Sequence, residues 1–505
     1  MPRSNGIQAA TGRVLAMKKS KNLLLLPVVF GLGTTGCTLG PNYSRPEIAS
    51  PADWRRPPPV VTNTVAVADA ANTKWWEQFG DPVLDQLVAE ALGGNLDIQI
   101  AAARVDQFIG ALGATRSQLF PQLGYGVQAT QAQASRLGVP PLPPGADANF
   151  SLFQGSLGAS WQIDLFGRIR RQTEAARAQV YASEQGQRGV VLTLVSNIAT
   201  SYIALRALDR QLEIAQATAA NFEKTAHIFD LRFKQGVISR TEVAQITSQV
   251  QQARTAIPVF EQAIAAQENL ISILLGRNPG PIPRGKTIDE LPVPQIPANL
   301  PSTLLERRPD VLQAEQNLVA ANANVGAARA LYYPNISLTG LLGTVSTDFG
   351  KLFSRDAQAY SLGASIAGPI FTFGAIKGQN NAADAVREQA MLGYRLTVLN
   401  AFRETNDALV GSATKAEEVA AQQLRVDALR EFARLAALRF DNGLTGYLEV
   451  IFAENELFVA ELNSTRVRTE RQAQAINVYR AMGGGWVDLA VASAGAAAPK
   501  TASRE

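Results

Sequence analysis

Two periodicities divide this chain. Between Leu152 and Asp164, apolar Phe153, Leu157, Trp161 and Ile163 alternate with polar Gln154, Ser156, Ser160, Gln162 and Asp164. A period of two predicts a strand with one apolar and one wet face. Leu123, Tyr125, Val127 and Ala129 alternate in the same way with Gln122, Gly124, Gln128 and Thr130, and a Pro/Gly loop over 137–149 separates the two runs. Further on, Ile336 and Leu338 stand against Ser337 and Thr339. Tyr360, Leu362, Ala364, Ile366 and Ile370 then stand against Ser361, Ser365 and Ala367. Four strands in two hairpins are expected.

After each strand pair the period lengthens. Leu194, Ile198, Tyr202, Leu205, Leu208 and Leu212 recur every three or four residues, which is one helical face. No proline falls between Pro144 and Pro258 or between Pro369 and Pro499. The first long helix, Arg168 to Phe233, would reach roughly 100 Å at 1.5 Å per residue. Return helices are expected from about Thr241 to Leu275 and from about Leu448 to Met482. Before the strands, Asp81-Pro82 reads as an N-cap followed by proline in the first turn, opening a helix to about Leu92. Gly93-Gly94 breaks it, Asn95 caps a second helix to about Phe120, and Pro121 stops that one.

The chain repeats itself. Leu231-Arg232-Phe233-Lys234-Gln235-Gly236 is echoed by Leu438-Arg439-Phe440-Asp441-Asn442-Gly443, followed in each copy by a Glu and a Val, Glu242-Val243 and Glu449-Val450. Each copy closes a long helix, turns at a glycine and starts back. Ser156-Leu157-Gly158-Ala159-Ser160 also recurs as Ser361-Leu362-Gly363-Ala364-Ser365, and Arg116 to Pro121 resembles Arg329 to Pro334. Three features in one order indicate a duplicated unit. The expected domains are a leader (1–36), an extended arm (37–81), a first repeat (82–276), a Pro-rich connector (277–309), a second repeat (310–486) and a tail (487–505).

Charge changes the picture at the start of the chain. Arg3, Arg13, Lys18, Lys19 and Lys21 precede Cys37 with no acidic residue among them, and the 47 basic residues less these five leave 42 against 43 acidic. The basic balance therefore belongs to a targeting segment and gives no reason to expect a nucleic-acid partner. Lys18 to Lys21 form its positive region, Leu23 to Phe30 its apolar core, and Met17 is an alternative start. Cys37 is the only cysteine, which excludes an intramolecular disulfide.

Four amphipathic strands do not close a barrel, and an open edge in lipid leaves backbone groups unpaired at several kcal/mol each. Copies must combine: two chains give eight strands and three give 12.

Gly40-Pro41-Asn42-Tyr43-Ser44-Arg45-Pro46, Trp75-Trp76-Glu77-Gln78-Phe79-Gly80-Asp81-Pro82, Asp164-Leu165-Phe166-Gly167-Arg168, Arg307-Arg308-Pro309-Asp310-Val311 and Met482-Gly483-Gly484-Gly485-Trp486 together resemble the TolC/OprM family, in its NodT-like lipoprotein branch. The resemblance implies a mainly helical fold. Four strands per chain would form a trimeric 12-stranded outer-membrane β-barrel, continued by a long helical periplasmic barrel. It implies a homotrimer that exports drugs or other small molecules, with a periplasmic adaptor and an inner-membrane pump of RND or other type as partners. Cys37 behind Gly36 resembles a lipoprotein processing site, with Thr34 where the family pattern has a branched apolar residue. Lipid attachment and ordinary cleavage nearby are the two readings. Thr38 in place of an aspartate implies the outer membrane.

The family opens and closes at its periplasmic tips. The resemblance places tip, gate or adaptor contacts at Gly236, Arg240, Thr241, Glu242, Gly443, Tyr447 and Glu449. The tyrosine and arginine of the TolC type are replaced by Phe440 and Thr445, and an acidic position falls on Phe452, so that linkage does not carry over. Turn chemistry is the alternative account of these residues. Phe153, Leu157, Trp161, Tyr360, Leu362 and Ile366 are the expected membrane-facing strand positions. No cofactor or metal is expected: His227 stands alone, Asp164 is a helix-start feature, and no nucleophile–base–orienter set suggests an enzyme. Three functional readings stay open: a small-molecule efflux duct, a duct for type I protein secretion, and a periplasmic coiled-coil lipoprotein without a pore.

Overall fold

The computed structural model describes residues 37–48, 54–55, 73–136, 143, 145, 147–296, 307–483 and 486–487. The leader, residues 49–53 and 56–72 of the arm, residues 297–306 of the connector and the tail from residue 488 lie outside them. The chain divides into two units.

The first unit holds the strands: β1 (Gln122–Gln133), β2 (Asn149–Ile163), β3 (Asn335–Ser346) and β4 (Gln358–Ala367). They form one antiparallel sheet in the order β1-β2-β3-β4. The alternation expected to reach Ile370 stops at Ala367, because Gly368 and Pro369 come next and proline has no N–H for the ladder. At the end of β2, Asp164 accepts from the Ile169 and Arg170 backbone nitrogens at 3.1 and 2.9 Å. Its side-chain partner is Arg170, at 3.3 Å. In the same unit the arm is held by Arg171, which donates to the Leu39 carbonyl at 3.0 Å.

The second unit is helical. A short 3-10 turn (Trp75–Phe79) leads into α1 (Pro82–Gly94) and α2 (Leu96–Ser117). The helix lengths make the duplication plain. Helices α3 (Arg168–Lys234) and α6 (Ala375–Asp441) have 67 residues each, and the return helices α4 (Arg240–Leu274) and α7 (Tyr447–Ala481) have 35 each. Helix α5 (Pro309–Arg329) opens the second repeat. Helix α2 ends at Ser117, and turn hydrogen bonds continue to Phe120.

The core of this unit gathers the aromatic motifs. Trp75 stacks on Tyr479 at 5.6 Å, and Trp486 meets Trp76 edge-on at 5.3 Å. Asp81 is buried beside them. It accepts from Val83 N at 2.9 Å, as its capping role requires, and also from the Tyr202 hydroxyl at 2.8 Å and Lys286 N at 2.9 Å. One side chain thus ties a helix start to α3 and to the connector. The connector is pinned along its described part: Ile282, Ile288 and Leu291 are buried, and Arg284 pairs with Asp209 and Glu268. Its prolines exclude a helix without preventing packing.

Candidate functional sites: the apolar sheet face and the hairpin tips

In the sheet, cross-strand partners lie on the same face. Tyr125 pairs with Leu157, Leu157 with Leu342, and Leu342 with Tyr360. Ala129 pairs with Phe153, Trp161 with Leu338, Gly340 with Leu362, and Ile163 with Ile336 and so with Ile366. The register therefore brings Phe153, Leu157, Trp161, Tyr360, Leu362 and Ile366 onto one surface. That surface is open: Tyr360 and Leu362 are 80% and 84% exposed. The opposite face carries Gln122, Gln128, Gln154, Ser156 and Ser160, with Ser337 and Ser365 bonded hydroxyl to hydroxyl at 2.7 Å. Phe150, Leu152, Leu341 and Val345 are the large apolar exceptions on it. Strands β1 and β4 are the two edges of the sheet. Cys37 is exposed, with its carbonyl accepting from Arg170 at 3.3 Å.

The helix turns end in matching geometry. At the first tip Gly236 has φ +78°; its N–H donates to Phe233 O at 2.8 Å and Val237 N to Arg232 O at 2.9 Å. At the second, Gly443 has φ +70°, with Gly443 N to Phe440 O and Leu444 N to Arg439 O both at 2.9 Å. Both are Schellman closures, in which a left-handed residue satisfies the last helical carbonyls. Only glycine enters that conformation without strain.

The side chains diverge. Glu242 is the glutamate of a capping box: it accepts from Ser239 N at 2.7 Å, and the Ser239 hydroxyl accepts from Glu242 N at 3.4 Å. Gly446 gives α7 no side-chain cap, and Glu449 instead takes Arg439 at 2.7 Å and the Thr445 hydroxyl. Arg240 and Thr241 are exposed at the start of α4. Tyr447, which matches Arg240, is buried: its ring lies 4.4 Å from Phe229 and 5.1 Å from Phe440. Burial and the nearby Glu454 carboxylate push its phenol well above the ordinary range. The Arg232 guanidinium sits 5.7 Å over the Phe440 ring. The ends of the two hairpins are thereby packed together, over a core that includes Phe222, Ile246, Val250, Val450 and Ile451.

The sequence reading missed this seam. Its one legible signal was Phe222 and Phe229, seven residues apart on one helical face. Phe452 is exposed, edge-on to Phe432 at 6.4 Å. His227 is exposed on α3, and among the described residues no group of three or more His, Cys, Asp or Glu could hold a metal.

The family model described as outer membrane efflux protein matches residues 87–277 and 300–484. The probable efflux pump outer membrane protein SepC of Pseudomonas putida is 31% identical over 470 residues, covering 92% of this chain and 97% of that one. The cation efflux system protein CusC of Escherichia coli is 32% identical over 465 residues, covering 92% and 98%. The open state of the MtrE outer membrane channel of Neisseria gonorrhoeae matches with a TM-score of 0.79 at 28% identity, covering 89% of this chain and 99% of that one.

Proposed function

The chain belongs to the outer membrane efflux protein family, and from that premise we propose that it is the outer-membrane channel subunit of a tripartite efflux system, exporting drugs or other small molecules. The observation that carries the reading is the sheet. Four antiparallel strands present a continuous exposed apolar face and two edges, and such a sheet is satisfied in lipid only by joining others into a closed barrel. Three copies supply 12 strands, an even number within the range of outer-membrane barrels. The 67-residue helices are about 100 Å long, enough to carry a duct away from the membrane. In this reading a periplasmic adaptor and an inner-membrane pump complete the pathway. Acyl chains on Cys37 would hold the arm to the outer membrane, two or more chains being needed for a stable anchor.

The relatives' names support export. The exposed apolar residues at the tips, Val237, Leu444 and Leu448, support a protein contact there. The test is single-channel conductance of the purified protein in planar bilayers, paired with its native mass. A trimer that conducts is expected; a monomer without conductance would overturn the reading.

A further inference from the structure

Between α3 and α7, just above the aromatic seam, lies Glu454. One carboxylate oxygen accepts from Asn221 Nδ2 at 3.0 Å. The other, Oε2, is buried and has no partner among the described residues. Glu454 follows the fully buried Ala453, and on its own helix Val450 and Ile451 belong to the same apolar core as Phe222 of α3. The polar groups beside Glu454 are Asn221 and Thr225 of α3 and Tyr447 of α7, all without charge, while Arg232, the cation of the seam, sits over Phe440. Of the neighbouring charges, Glu223 pairs with Arg254 of α4 at 2.7 Å and Glu456 with Arg425 of α6 at 3.1 Å. Among the described residues no cation is paired with Glu454.

Glu454 is half-buried, with Oε2 out of water and Oε1 held by one neutral donor near the surface, so it is costlier as an ion than as an acid. Parting α3 from α7 would return water to Oε2 and remove that cost. We propose that Glu454 is a proton-binding site that sets how tightly the two hairpins of one chain close on each other. The neutral acid favours the closed seam and the carboxylate favours the parted one.

Burial raises the Glu454 carboxyl above the ordinary glutamate range, and the Asn221 bond offsets this in part. Because the closed-seam pKa is the higher one, its contribution to closure is complete below the ordinary glutamate range. It is lost as pH rises through the raised value. Acid tightens the seam and neutral conditions loosen it.

The test is hydrogen–deuterium exchange on the full-length protein in detergent, corrected for intrinsic exchange and compared at about pH 5, just above the ordinary glutamate value, and at about pH 7.5. Peptides covering 215–234 and 447–460 are expected to lose protection at the higher pH, by about tenfold for each unit by which packing raises the pKa. Glu454→Gln, which keeps the shape without the charge, should remain protected at both. Asn221→Leu should move the transition to higher pH by removing the one donor. Equal wild-type protection at both pH values, a pH dependence that survives in Glu454→Gln, or an unmoved midpoint in Asn221→Leu would each overturn the proposal. The exchange reads the seam itself, so its outcome is separate from whether the trimer conducts.

Discussion

At the first hairpin tip Ser239 and Glu242 close a capping box; at the matching positions of the second stand Gly446 and Glu449, and there the glutamate turns back to Arg439 and Thr445. The backbones of the two turns are nearly the same, glycine for glycine and hydrogen bond for hydrogen bond. What differs is where each tip finds its stability. The first is capped locally and leaves Arg240 in water. The second has no cap and places Tyr447, at the equivalent position, in the seam against Phe229 and Phe440. A duplicated unit has kept its turn and divided its side chains, one tip self-sufficient and the other fixed by its neighbour.

The largest expected effect tests that division. Tyr447→Ala should cost about 3 kcal/mol of closure between the hairpin ends, as for truncation of a buried aromatic, whereas Arg240→Ala should be near neutral. Urea unfolding monitored by proteolysis at the tips separates them, and equal costs would break the comparison. Next, Ser239→Ala should weaken the first tip by about 1 kcal/mol, the usual worth of an N-cap. Exchange rates in 237–246 would report it, with 444–453 unchanged. Gly236→Ala and Gly443→Ala should each cost about 1 kcal/mol or slightly more, because both force a side chain into the left-handed region. Unequal losses would mean the shared backbone is not equally needed. The smallest effect runs the other way. Gly446→Ser should stabilise the second tip by a few tenths of a kcal/mol by supplying the missing cap, read as slower exchange at the start of α7.

Glu242 and Glu449 occupy matching places in the repeat, and both have an internal job. Glu242→Gln preserves a capping box, since glutamine serves equally at that position. Glu449→Gln removes an exposed ion pair, worth at most about 1 kcal/mol. Neutralising the pair together is therefore a mild perturbation of the fold. A large rise in channel conductance after it would place a gating contact between chains at these residues.

Much of this architecture was legible in order along the chain. Alternation gave the strands, proline-free amphipathic runs gave the long helices, and Asp81, Asn95 and Gly236 marked their ends, because each signal is local to a few residues. The duplicated motifs indicated two hairpins before any contact was known. The sequence also assigned an apolar face to each strand, since period two is a property of the backbone.

Tertiary structure alone decided the rest. The register joined four separate apolar faces into one surface, and no single strand encodes its partner's alignment. Asp81 reads locally as a cap, yet it also receives Tyr202 and Lys286 from far along the chain. Phe233 and Phe440 are the same letter at the same place in the repeat, but only Phe440 takes part in the aromatic seam. Glu454 looks like any helical surface glutamate until α3 is laid against it. Helix periodicity gives each residue an angle around its own axis; which of those angles meets a partner is fixed only when the helices pack.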